Sequence, residues 1–155
     1  MTYEFSMMLF LAAMVFTLIA QSRVSGNFKK YSQVRNQRGL TGEEAARKVL
    51  DANGLSDVTI EQIRGNLTDH YDPRTRVLRL SQGVYSIDSV AAVSVACHEA
   101  GHAILFHVLP DVGPVHTISI IPTGMGAAGY TMPLPEKDEL FNTRGRMLQS
   151  IMVAL

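Results

Sequence analysis

The hydrophobic pattern opens on a run with no period. From Phe5 to Ser22 the chain reads FSMMLFLAAMVFTLIAQS, 18 residues without a charge or a polar face. That length is at the lower edge of what crosses a hydrocarbon core of about 30 Å as a helix, so residues 1–22 are expected to form a transmembrane anchor. A cleaved secretory signal would need a positive leading segment, whereas only the acidic Glu4 precedes the run. Residues 23–40 then turn polar and carry Arg23, Lys29, Lys30, Arg35 and Arg38 with no acidic residue. They read as a juxtamembrane linker lying along anionic headgroups, and the positive-inside bias puts the remaining chain in the cytoplasm as a single-pass protein of the cell membrane.

Beyond residue 40 the pattern becomes periodic. Thr41 with Glu44 makes a capping box, Ala45, Ala46, Val49 and Leu50 form a helical stripe, and Gly54 fits the position just past a helix end. Val58 to Ile63 reads as a strand, and Leu67 to Tyr71 pairs with Val77 to Leu80 across the turn Asp72-Pro73-Arg74-Thr75. Ser89 to Leu109 is long, almost wholly apolar and preceded by Asp88 as a candidate cap, which describes a buried central helix ended by Pro110. His116 to Ile121 alternates as a strand does, residues 122–129 form a glycine-rich loop, and Asn142 or Thr143 caps a last helix towards Leu155. Residues 41–155 are thus expected to hold one domain in which a small sheet precedes and packs on the central helix.

Composition narrows the chemistry. Fourteen basic and fourteen acidic residues balance to zero net charge, which removes the basic footprint that nucleic-acid binding needs. The single cysteine, Cys97, excludes an internal disulfide and a Cys-rich metal site, so a metal must rest on His and carboxylates. Within the central helix stands His98-Glu99-Ala100-Gly101-His102, the HExxH pattern. Two His four positions apart lie about 40° apart on one helix face, so both imidazoles can reach one Zn2+ ion. Glu99 is rotated by about 100° from His98, where its carboxylate reaches a water on the metal as general base. Left unpaired in an apolar helix, such groups would each cost about 1 to 3 kcal/mol, and a shared cation removes that cost. The competing reading is a polar cluster satisfied within the core.

Zinc also needs a third protein ligand. A metzincin extension would require Gly at Leu105 and His at Val108, which excludes that class. His107 points about 180° away from His98, His116 opens a strand, and Glu136, Asp138 and Glu139 read as a solvated acidic face, so the third position stays open. Gly124 to Gly129 matches GxGxxG, but Tyr130-Thr131-Met132-Pro133 follows where a dinucleotide site needs a helix. On a strand, Asp69 and Tyr71 face one way and His70 and Asp72 the other, so Asp69-His70-Tyr71-Asp72 suits substrate-side hydrogen bonding or turn chemistry better than a metal.

Two resemblances divide the chain. GLTGEEAARKVLDANG, GNLTDHYDPRTRVLRLSQGVY and SVAAVSVACHEAGHAI resemble the YugP-type membrane zinc metallopeptidases, while the stretch from HEAGHAILFHVLP to GRMLQ resembles the start of the peptidase domain of FtsH, the ATP-dependent membrane zinc protease. Both imply zinc on His98 and His102 and Glu99 as base. FtsH carries an ATPase module ahead of its peptidase domain, where this chain has a YugP-like segment, so ATP-driven unfolding is not intrinsic to it. The FtsH-type third ligand is an aspartate that no residue up to Leu155 resembles, and the chain is expected to be a hybrid or a truncated product joined at HEAGHAI. The reading is an α+β, zincin-like metalloendopeptidase behind one membrane helix, acting on polypeptide and able to form a homo-oligomer. Its rivals are an inactive membrane-tethered metal-binding module and an FtsH-like peptidase whose ATPase is a separate chain.

Overall fold

A computed structural model describes residues 2–109, 115–119 and 130–133, together with Gly145, Leu148, Gln149, Ile151 and Met152. The loop over 122–129 lies outside the described residues; of the expected last helix only those five positions are described, all helical.

The charge-free run becomes part of α1, Thr2–Tyr31, a helix of 30 residues. Among the described residues it is the one helix long and apolar enough to cross a membrane, with mean hydropathy 1.9 and none of that window buried. Phe5, Met8, Phe10 and Phe16 all stand exposed, and among the described residues none packs over them. α1 continues through Arg23, Lys29 and Lys30 to Tyr31, which makes the first half of the basic stretch helical. The second half is stitched to residues 87–90. Asn36 N–H donates to Asp88 O at 2.9 Å, Val90 N–H to Val34 O at 2.8 Å and Gly42 N–H to Ile87 O at 3.2 Å. The Asn36 carboxamide bridges Leu40 O and Asp88 O, and the Arg35 guanidinium pairs with the Asp88 carboxylate.

α2, Gly42–Ala52, starts where its capping box places it: the Thr41 hydroxyl accepts from Glu44 N–H, and the Glu44 carboxylate accepts from Thr41 N–H at 2.8 Å. Its Ala45, Ala46 and Leu50 turn inward. The sheet contains β1 (Thr59–Ile63), β2 (His70–Asp72), β3 (Val77–Ser81), β4 (Val115–Ser119) and β5 (Tyr130–Pro133) in the order β1-β3-β2-β4-β5. β1 runs parallel to β3 and the other pairs are antiparallel. The expected hairpin is β2 with β3, and Asp72 closes its turn by accepting from Arg74 N–H and Thr75 O–H. β2 is shorter than its apolar pattern because Leu67 takes a left-handed conformation, φ 57°, which breaks an extended backbone. A short helix α3, Gln82–Tyr85, follows β3.

The central helix is α4, Val90–Val108, capped by Ser89, whose hydroxyl accepts from Ala92 N–H. Ser89 displaces Asp88 from that role because the Asp88 carboxylate is engaged by Arg35. Ala92, Ala96, Ala100 and Ala103 form one buried stripe against Ala46 and Leu50 of α2, Leu78 and Leu80 of β3 and Tyr71 of β2. The absence of longer side chains lets α4 approach its neighbours closely, at the packing density of a protein interior.

Gly42 and Gly101 make opposite predictions. A Cβ on Gly42 would meet Val84 O at 2.3 Å, whereas one on Gly101 meets nothing within 4 Å. Gly42→Ala should therefore lower the unfolding free energy by about 1 to 3 kcal/mol. Gly101→Ala should leave it unchanged or raise it by up to about 1 kcal/mol through helix propensity, both read by chemical denaturation.

Candidate metal centre

α4 brings the three motif side chains together. The His98 and His102 ring centroids lie 4.5 Å apart, edge to face at 83°, so two imidazoles one turn apart converge on one region. Glu99 is fully buried and His102 is 3% exposed, while His98 is half-buried. Among the described residues, His98 Nε2, both ring nitrogens of His102 and both carboxylate oxygens of Glu99 are buried with no hydrogen-bond partner. Buried polar groups in folded proteins are nearly always satisfied, and each orphan costs about 1 to 3 kcal/mol. The orphaned nitrogens of His98 and His102 are of a donor type that zinc takes, so the two imidazoles fit as a pair of ligands, with the orphaned Glu99 carboxylate beside them.

The electrostatics follow from burial. Desolvation lowers the His102 imidazole from 6.5 to about 4, with the neighbouring His98 adding to the shift, and desolvation lowers His98 as well. Both rings therefore stay neutral with a lone pair free for a metal. Desolvation pushes the Glu99 carboxyl well above the ordinary 4.5, and Asp69 adds to that rise. The Tyr71 backbone amide offsets part of it without completing a hydrogen bond.

Asp69 is the part of the surroundings that sequence patterning left undecided. It is fully buried and accepts from Ser81 N–H at 2.7 Å and from the Ser81 hydroxyl at 3.0 Å, which ties the entry of β2 to the end of β3. A buried carboxylate beside a second buried carboxylate was concealed by the Asp69-to-Asp72 run, which reads equally as a turn. The four residues divide as alternation expects: Tyr71 is buried against Phe106, whereas Asp72 serves the turn and Arg79. His70 Nδ1 lies 2.8 Å from Thr68 O. His107 is exposed and Cys97 is a free, half-buried thiol whose pKa burial raises. Among the described residues no group of three His, Cys, Asp or Glu side chains could hold a metal. His116 lies in β4 with its side chain outside the described residues, as Glu136, Asp138 and Glu139 are entirely.

The HExxH turn, buried on a helix that packs against a small sheet, belongs with the zinc metallopeptidases, and comparison with known proteins gives the same class. The chain belongs to the family described as "Putative neutral zinc metallopeptidase", whose model matches residues 6–110. A second model, peptidase family M41, matches residues 86–155. The chain is similar to the "Putative membrane protease YugP" of Bacillus subtilis, 54% identical over 94 residues, covering 61% of this chain and 42% of that protein. It is also similar to the ATP-dependent zinc metalloprotease FtsH of Veillonella parvula, 50% identical over 60 residues, 39% of this chain and 9% of the relative. For FtsH of Pirellula staleyi the match is 48% over 120 residues, 76% of this chain and 17% of the relative. The chain thus spans less than half the length of these curated relatives. No solved structure matches it. Zinc is the metal that these families imply.

The pKa shifts predict how the metal-free protein responds to pH. A carboxyl raised on folding contributes stability below its unfolded value of 4.5 and loses it as pH climbs towards the folded value. The melting temperature of Glu99→Gln relative to the parent, both stripped of metal, should therefore improve as pH rises from about 5 to about 8. His102 has the opposite sign: its contribution is complete above 6.5 and lost as pH falls towards about 4. His102→Phe should flatten that acid limb, and an unchanged limb would contradict the assignment.

Proposed function

We propose that this chain carries the zinc-binding half of the catalytic centre of a membrane-anchored metalloendopeptidase with a zincin-like arrangement. The observation that carries this reading is the set of buried, unpartnered atoms on His98, Glu99 and His102. His98 and His102 would hold the ion, and zinc when bound supplies the Lewis acidity that makes a water nucleophilic near neutral pH.

The chain's own residues do the rest. Burial keeps both imidazoles neutral and therefore able to ligate. Glu99 is anchored in the core by its helix position, so its carboxylate cannot swing away, and the low dielectric that raises its proton affinity suits it to take a proton from the attacking water. It then delivers that proton to the leaving amine. The Tyr71 amide of β2 and the carboxylate of Asp69, just ahead of that strand, bias this exchange in opposite senses. Substrate is a polypeptide held extended along a sheet edge through backbone groups, a mode that needs no particular sequence. Residues 1–22 anchor the protein, 23–40 lie at the cytoplasmic headgroups, and the peptidase segment from 41 onward works on that side of the membrane. The names of YugP and FtsH support both the proteolytic and the membrane parts of this reading.

Purified protein in detergent should retain about one zinc per chain. His98→Ala and His102→Ala should each lose it, whereas Glu99→Gln should keep zinc while casein cleavage falls at least about a hundredfold. Alanine at His116, Glu136, Asp138 and Glu139 in turn identifies any third ligand by loss of bound metal. Zinc retained without Glu99-dependent cleavage would favour the inactive tethered module, and no zinc at all would end the metallopeptidase reading of this chain.

A further inference from the structure

Where α1 leaves the apolar run, it and α4 enclose an open groove of about 400 Å³. Val24, Phe28 and Tyr31 form one wall, Ala91 and Val95 the other, and Leu67 closes one side. Leu67 reaches this place from the left-handed conformation at φ 57°, which a bulky side chain rarely adopts, so the loop holds an apolar group here against a local backbone penalty. Asn27 and Ser94 are the polar residues of the lining. The Ser94 hydroxyl donates to Val90 O, while the Asn27 carboxamide has no partner among the described residues.

Cations accompany the groove along α1. The Lys30 ammonium sits 5.2 Å from the centroid of the ring of Tyr31, one of the lining residues. Among the described residues Arg23, Lys29 and Lys30 meet no carboxylate. Depth completes the picture: at 1.5 Å per residue, Val24 to Tyr31 extend about 10 Å past the apolar run, through the headgroup layer of a bilayer. An apolar cleft with free cations and an unpaired carboxamide at that depth matches one kind of molecule, with acyl and glycerol carbons below and a phosphate at the edge.

We propose that this groove binds an anionic phospholipid, its upper acyl chain between α1 and α4 and its phosphate on Lys30 and Asn27. The assignment rests on the reading of α1 as a membrane helix. It makes the lipid a wedge between that helix and the one that carries His98, and it goes beyond a general attraction of basic residues to the bilayer surface.

The chain has no tryptophan, so a single one reports its own surroundings. The full chain is reconstituted in phosphatidylcholine vesicles containing phosphatidylglycerol, with bromine on the acyl chain of either lipid in turn. Met14→Trp, in the apolar run, should be quenched by both. Tyr31→Trp should be quenched about fivefold more effectively by brominated phosphatidylglycerol, the discrimination expected of one lysine at a membrane surface. Lys30→Gln in that background should remove the preference. Ser94→Phe, which fills the groove and leaves every charge in place, should remove it too. Equal quenching of Tyr31→Trp by the two lipids, or a preference that survives Ser94→Phe, overturns the site while leaving α1 in the bilayer. Failure of either lipid to quench Met14→Trp overturns the membrane reading itself.

Discussion

Everything in this molecule depends on how closely α4 can approach its neighbours. Ala92, Ala96, Ala100 and Ala103 remove side-chain bulk along one face, so α2 and the sheet pack against the backbone of the helix almost directly. That closeness deprives Glu99 and His102 of water. An ordinary amphipathic helix would show its polar residues to solvent, whereas this one turns a carboxylate and an imidazole inward and leaves them in need of a partner. The same constraint that builds the core therefore leaves these groups without partners, the observation on which the proposed zinc site rests.

A second layer of organisation comes from buried carboxylates. Asp69 lies where the interior would exclude a charge, and the N–H and O–H of Ser81 make it tolerable there. By joining the start of β2 to the end of β3 it fixes the strand whose Tyr71 amide faces Glu99. Burial, Asp69 and Tyr71 together set the proton affinity of the proposed base, and all three are properties of packing more than of the motif.

The motif, the central helix, the capped α2 and the β2–β3 hairpin were legible in the sequence because each has a local signature: HExxH on an apolar helix, Thr41 with Glu44, and a turn at Asp72 to Thr75. Local signatures did not disclose that Ser89 rather than Asp88 caps α4, since this follows from Arg35, 53 positions away, engaging Asp88. Nor did they disclose the position of β1 beside β3, a parallel pairing that no turn specifies. The left-handed Leu67 shortens β2 against its own apolar pattern, and Asp69 looks like any turn aspartate until Ser81 is folded against it. Wherever the cause lay in a distant partner, the pattern of residues along the chain was silent.

The fastening of residues 34–42 to residues 87–90 has a consequence for what such an enzyme could cut. Hydrogen bonds from Val90 to Val34 and from Asn36 to Asp88 leave almost no free tether between α1 and α4. With α1 in a bilayer, as proposed, the His98-to-His102 turn would be carried at a fixed height above the lipid, as a blade is held by a plane. Under the proposed function, selection among substrates would then be partly a matter of distance: a polypeptide would be cut where its unfolded portion passes through that narrow shell, whatever its sequence.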